Sequence, residues 1–288
     1  SPYFVEKYKF APDTLLIPWS GDNPNSLIGI GLTTKGRAAI SLGTSDTYFV
    51  YLKQLQVDLH GEGHVFGAPT GDYMGLVCYK NGSLAREKIK HWFDLSWNDF
   101  SKILSNTPPG NHGKIMLPYF FPEIVPLVLK PTVYRFGFNE NDQQGNVRAV
   151  IEAQFLSMKL HSKWVLEEPE EIYVTGGAST NLEIIQIAAN IFNTKVRQFE
   201  VTESAALGAA LRSSKSYYDS KKKVIDWTEL VSQYLDMQKS VVIGPNKKYS
   251  ELYNDMLFVY DKCESFILKN GENPEPYRKA FIKKYFEN

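Results

Sequence analysis

The chain has 288 residues, of which 43% are hydrophobic, 14% aromatic and 22% charged, an ordinary make-up for a globular protein. That length suggests about two domains or one large α/β unit, with enough chain to bury a core without staples. The 32 basic and 32 acidic side chains cancel, which removes the electrostatic case for a dedicated binder of nucleic acid or membrane surfaces.

Two cysteines, Cys78 and Cys263, exclude a disulfide framework and a cysteine zinc site. The two can form a single bridge or stay as unpaired thiols; two unpaired thiols in a reducing cytosol is the favoured reading, so the expected location is cytoplasmic. The most apolar segment, Phe120 to Leu129, is cut by Pro122, Glu123 and Pro126 and cannot span a bilayer. No signal peptide is visible, and the first residue is Ser1.

In chain order, Thr14 to Pro18 has the look of a short strand. Gly21-Asp22-Asn23-Pro24 reads as a helix start, with Asp22 or Asn23 as cap and Pro24 in the first turn. Ala38 to Leu42 and Thr47 to Leu52 read as two strands of a hairpin around Gly43-Thr44-Ser45. Gly71 to Tyr79 predicts a third strand, broken by Asn81-Gly82; Ser83 then caps a helix running to about Phe93.

Residues 104–145, rich in Pro, Gly and Asn, read as a long loop with short strands. Gly145 to Glu167 predicts a helix with Val150, Phe155, Leu156 and Leu160 on its apolar face. Glu171 to Thr175 is a short buried strand closed by Gly176-Gly177, followed by a helix from about Asn181 to Phe192. A short strand over Lys195 to Arg197 and a helix over Ser204 to Leu211 complete this part. Strands first, then alternation with helices, predicts a mixed sheet with helices on its faces. Residues 215–288 show no strand pattern. Tyr249, Tyr253, Met256, Tyr260, Cys263 and Ile267 form one stripe of a long helix packed on the preceding domain.

Three segments carry candidate chemistry. Asp22 at a helix start can accept a proton from a hydroxyl, or merely cap the helix. Asn23 beside it can orient a polar ligand, with the same plainer alternative. Leu42-Gly43-Thr44-Ser45 can cradle phosphate oxygens on backbone N–H groups, or be an ordinary hairpin turn. Thr175-Gly176-Gly177-Ala178-Ser179 leaves a strand and enters a helix, where glycines admit a ligand to the backbone and a helix N-terminus favours anions. It can equally be a tight connection, and it has neither the Walker A nor the Rossmann spacing. Trp97 can stack on a base or simply pack. His60 and His64 are separated by glycine-containing chain, and His91, His112 and His161 are isolated, so a metal site is not expected.

Taken together, Gly21-Asp22-Asn23-Pro24, then Ser41-Leu42-Gly43-Thr44-Ser45-Asp46-Thr47, then Thr175-Gly176-Gly177-Ala178-Ser179 with Asn181 resemble the C-terminal half of the FGGY carbohydrate kinases. Gly71 to Met74, Lys80 to Ile89 and Glu152 to Ser157 resemble in particular the eukaryotic branch of that family that phosphorylates D-xylulose. The resemblance covers about Ser1 to Ser213.

It implies an α/β, actin-like ATPase (ribonuclease H-like) domain, with helices on both faces of a mixed sheet and a C-terminal helical extension. Residues 1–36 would end an N-terminal sugar-binding domain, 37–214 would be the ATP-binding domain, and 215–288 the extension. Asp22 would be the catalytic base, and Asp22 and Asn23 would contact the sugar. Gly43 and Thr44 would face the ATP phosphates. Gly176, Gly177, Ala178 and Asn181 would hold the adenosine, flanked by Trp97. The family's Asp-x-Gly-Thr motif for phosphate and magnesium is absent, so the main Mg2+ ligand is expected in an N-terminal half outside this chain. The chain alone is accordingly expected to be nearly inactive. A neighbouring sugar kinase (ribulose, gluconate or glycerol) and a non-catalytic nucleotide-binding module are the alternatives.

Overall fold

The computed structural model describes residues 1–18, 20–198, 203–235 and 240–287. Its centre is a seven-stranded mixed sheet built from β1 (Arg37–Leu42), β2 (Asp46–Leu52), β3 (Gly63–Gly67), β4 (Tyr73–Tyr79), β7 (Glu171–Thr175), β8 (Lys195–Gln198) and β9 (Val241–Ile243). A separate hairpin pairs β5 (Ile115–Tyr119) with β6 (Thr132–Phe136). The large sheet runs β3-β4-β2-β1-β7-β8-β9. β1, β7 and β8 are parallel, and the remaining pairs are antiparallel.

The predicted hairpin forms, with Leu42 opposite Asp46 across the Gly43–Ser45 turn. β1 is buried on both sides because its side chains alternate between two cores. Ala38, Ile40 and Leu42 enter one core together with α3 (Ser83–Trp92), α4 (Trp97–Asn106), α5 (Gln143–His161), α6 (Leu182–Phe192) and α9 (Ser250–Leu268). Ala39 enters the other, which is closed by α2 (Asp22–Gly29), α7 (Ser204–Ser220) and α8 (Trp227–Ser232). Helices therefore cover both faces, as the order of elements predicts. α1 (Pro2–Tyr8) contributes no buried residue, and α10 (Glu275–Phe286) adds Phe281 to the first core.

Five expectations change. Thr14 to Pro18 is not a strand: among the described residues no strand pairs with it to supply a ladder. α2 is capped by Gly21 rather than by Asp22 or Asn23; Asp22 is the first helical residue. Gly82, not Ser83, is the N-cap of α3. The helix α4 fills residues to which no element was assigned and runs on to Asn106, past the expected start of the long loop at residue 104; it is held at its start by a capping box in which Ser96 and Asp99 bond reciprocally. Residues 215–288 do contain a strand, β9, which adds antiparallel to β8. The predicted stripe of α9 is buried as expected at Tyr253, Met256, Tyr260 and Cys263.

Candidate active site

Two connections meet at the ends of neighbouring parallel strands. Ser41 pairs with Thr175, so the turn after β1 and the turn after β7 lie side by side. Gly176 is at φ +88°, and a Cβ there would fall 2.5 Å from the Leu42 carbonyl oxygen, so the two backbones approach as only glycine permits. Beyond it, Gly177–Thr180 forms a 3-10 turn, tied by Ser179 Oγ donating to Gly176 O at 2.7 Å.

Asn181 caps α6 through its side-chain oxygen, which accepts from the Glu183 and Ile184 N–H groups at 3.1 and 3.3 Å. Its amide nitrogen donates to Ser101 Oγ of α4 at 2.7 Å, joining the two helices. An open cleft of about 710 Å³ lies over this junction, lined by Gly43, Thr44, Arg86, Trp97, Gly177, Ala178 and Asn181 among others. The structure thus gathers into one cavity six of the residues singled out for nucleotide binding, while Gly176 lies against Leu42. A Cβ on Gly177 would meet nothing within 4 Å, so the backbone there is open to a ligand. Trp97 is 44% exposed at the start of α4, with its ring edge-on to Phe100 and the Lys90 ammonium 5.7 Å from its centre.

Beneath the Gly43 turn lies a charged pair that the sequence does not announce. Arg86 Nη1 and Nη2 donate to the two carboxylate oxygens of Asp46 at 2.7 and 2.9 Å, and Nη1 also donates to Gln154 Oε1 at 2.9 Å. Both charged side chains are 1% exposed. Burial pushes the Asp46 carboxyl above its ordinary value, while the guanidinium pulls it back down. Gln154 Nε2 donates to the carbonyls of Asn81 and Gly82 at 2.7 and 2.9 Å. Glu123 closes this layer by accepting from the Asn81 N–H and side-chain amide and from the N–H groups of Lys80 and Ile124.

Asp22 and Asn23 do not line the cleft. They sit at the first turn of α2, on the other core, where Asp22 Oδ1 accepts from the Asn23 N–H at 2.8 Å and the carboxylate is exposed. His161 is also not isolated: its Nδ1 is 2.7 Å from Glu62 and its Nε2 3.0 Å from Glu264. Burial disfavours its charge, but hydrogen bonds and attraction from these two carboxylates outweigh that and raise it to about 9. Among the described residues, no group of three or more His, Cys, Asp or Glu side chains could hold a metal ion, and no helix is long and apolar enough to cross a membrane.

The family of carbohydrate kinases described as FGGY, in its C-terminal domain, matches residues 38–217. The chain is 35% identical over 287 residues to the xylulose kinase of Mus musculus, covering 95% of this chain and 50% of that protein. It is 40% identical over 243 residues to xylulose kinase 2 of Arabidopsis thaliana, covering 77% of this chain and 43% of that protein. The chain therefore spans about half the length of the curated relatives it matches. Among solved structures, a gluconate kinase from Lactobacillus acidophilus superposes with a TM-score of 0.78 at 22% identity, over 97% of this chain and 56% of that one. A ligand-bound xylulose kinase from the same organism gives 0.77 at 22% identity, over 92% and 54%. These likenesses show the fold, the actin-like ATPase fold that the resemblance to the FGGY kinases implies; the order of strands and helices by itself led only to a mixed sheet with helices on its faces. With the cleft, the two glycine turns and the matched domain in agreement, the chain belongs to the FGGY family of carbohydrate kinases.

Proposed function

We propose that this chain is the nucleotide-binding half of an ATP-dependent kinase that converts D-xylulose to D-xylulose 5-phosphate. The observation that carries the reading is the convergence of Gly43–Thr44 and Gly177–Asn181 on one cleft. A hairpin turn with small residues offers N–H groups to phosphate oxygens, and the α6 N-terminus adds a favourable dipole. The open backbone at Gly177 and Ala178 suits an adenosine, with Trp97 at its edge. The residues present fit a nucleotide. They do not supply a metal cluster, so a magnesium ion accompanying the nucleotide would take its ligands from phosphates and from residues outside this cleft.

Phosphoryl transfer asks the protein for positioning, neutralisation of charge and an oriented hydroxyl. In this reading, Asp22 takes the proton from the attacking sugar hydroxyl, Asn23 helps hold the sugar, and the Gly43–Thr44 turn holds the phosphates. The rest of the sugar site, and the lid that excludes water, belong to an N-terminal half of the same enzyme. The sugar assignment is supported by the naming of the Mus musculus and Arabidopsis thaliana relatives. The gluconate kinase likeness keeps a neighbouring sugar acid as the second reading. Cys78 and Cys263 are both free thiols, in keeping with a cytoplasmic enzyme.

Calorimetry of the 288-residue chain with ATP and ADP, with and without magnesium, tests the nucleotide half of the reading. Assaying the full-length enzyme that carries this chain with D-xylulose against gluconate tests the rest. Nucleotide binding followed by xylulose-dependent ADP formation is the expected result; no binding of either nucleotide rejects the proposal.

A further inference from the structure

Gly43 has no side chain to fix the orientation of the Gly43–Thr44 turn, so the contacts of its backbone must do so. Two groups meet the Gly43 carbonyl: the Ser83 N–H donates to it at 3.0 Å, and Arg86 Nη2 lies at 3.5 Å. A trans peptide points its C=O and the following N–H in opposite directions. With Gly43 O held by these two groups, the Thr44 N–H faces away from them, and Thr44 is among the residues lining the cleft.

Arg86 is in turn held through its two Nη groups by two side chains. Asp46, the first residue of β2, takes both arms of its fork. Gln154 of α5 cannot flip its amide, because its Nε2 already serves two carbonyls, so its Oε1 must face Arg86. One of those carbonyls belongs to Gly82, the N-cap of the helix that carries Arg86. A Cβ on Gly82 would fall 2.7 Å from both the backbone nitrogen and Oδ1 of Asp46, so this layer has no slack. Among the described residues lining the cleft, Arg86 is the one cationic side chain.

We propose that Arg86, held by Asp46 and Gln154, is a positioning residue that presents the backbone of the Gly43–Thr44 turn to the phosphates of a nucleotide. The proposal rests on the nucleotide reading above and deepens it. Its role is selective: the phosphates feel the turn, whereas the adenosine is held by the Gly177–Asn181 segment. Damage to the triad should therefore separate two affinities that a general loss of structure would lower together.

The test is calorimetry of the 288-residue chain with ADP and, separately, with adenosine. Gln154→Met keeps the side-chain volume but removes the acceptor for Arg86 and the donor to Asn81 and Gly82. ADP affinity is expected to fall about tenfold, with adenosine affinity changed less than about twofold. Arg86→Lys keeps the charge but loses the fork, and is expected to act in the same direction; it serves if Gln154→Met does not fold. Equal losses for both ligands, or no loss for either, overturn the proposal. Failure of the unsubstituted chain to bind ADP removes the nucleotide reading and this proposal with it, so the two failures are told apart.

Discussion

Gly29 of α2 and Gly208 of α7 face each other where the two helices touch backbone to backbone. A Cβ on Gly29 would lie 1.9 Å from the Ser204 carbonyl oxygen, and one on Gly208 would lie 1.8 Å from the Asn25 carbonyl oxygen. Ser26 Oγ and Ser204 Oγ, 3.2 Å apart, add a polar link across the same contact. This contact sets where the N-terminus of α2, and hence Asp22, is held relative to the sheet.

Gly208→Ala should therefore be costly although it adds only a methyl group. The neighbour is a carbonyl and cannot rotate aside, so the helices must separate. We expect a loss of about 3 kcal/mol, at the upper end for overpacking, read by urea unfolding. In an assembled enzyme, a stably folded Gly208→Ala variant should lose turnover more than nucleotide affinity, because α2 moves while the cleft does not. Unchanged stability would show that the helices are not locked here.

Asp22→Ala tests the proposed base directly. The carboxylate is exposed and its hydrogen bond, accepted from the neighbouring Asn23 N–H, is local, so its loss should cost little stability. Sugar phosphorylation by the assembled enzyme should fall by about 10²- to 10⁴-fold, the usual range for a general base, with ATP affinity retained. Undiminished turnover would remove Asp22 from the mechanism.

The adjacent glycines 176 and 177 should respond in opposite ways. Gly176→Ala meets both a positive φ and the Leu42 carbonyl, and should destabilise by about 1–3 kcal/mol. Gly177→Val meets open space, and should change stability by less than about 0.5 kcal/mol. It nevertheless places a branched side chain in the cleft, so ADP binding should weaken at least about tenfold by calorimetry. Thermal melts of the two variants, run beside the titrations, check both halves of this contrast.

The Glu62–His161–Glu264 cluster predicts a pH effect on stability. His161 is raised to about 9 in the folded chain from an ordinary value near 6.5. A raised histidine stabilises fully below its unfolded value, because both states are then protonated and only the folded one gains from the carboxylates. That gain is lost as pH rises from about 6.5 through about 9, where the folded imidazole gives up its proton. The full span is worth up to about 3 kcal/mol. Urea midpoints at pH 6 and pH 9.5 should differ accordingly, and His161→Phe should flatten the difference. An equal slope in that variant would assign the effect to other groups.

Local patterns made part of this structure legible. The β1–β2 hairpin, the β7 strand with its Gly-Gly exit, and the α9 stripe all follow from periodicities and turn residues within a short window. Other elements were hidden for physical reasons. β3 is a half-exposed edge bounded by glycines, and it gains its strand character only by pairing with β4. β9 is three residues long and likewise exists through its partner, β8. The start of α4 did carry a signal, Ser96 followed three residues later by Asp99, which the Pro- and Gly-rich composition after it obscured.

The site divides in the same way. Gly43, Thr44, Gly176, Gly177 and Asp22 were legible as glycine turns and a helix start, because those features are encoded by neighbouring residues; phosphoryl transfer to a sugar came only with the resemblance of these motifs, taken together, to the FGGY kinases. Which of them share a cavity was decided by the parallel pairing of β1 with β7, which carries two distant turns to one place. The Asp46–Arg86–Gln154 triad and the Glu62–His161–Glu264 cluster were likewise settled only in three dimensions. Buried charges and amides must find partners wherever the chain brings them together, and those partners come from separate elements that no local pattern links.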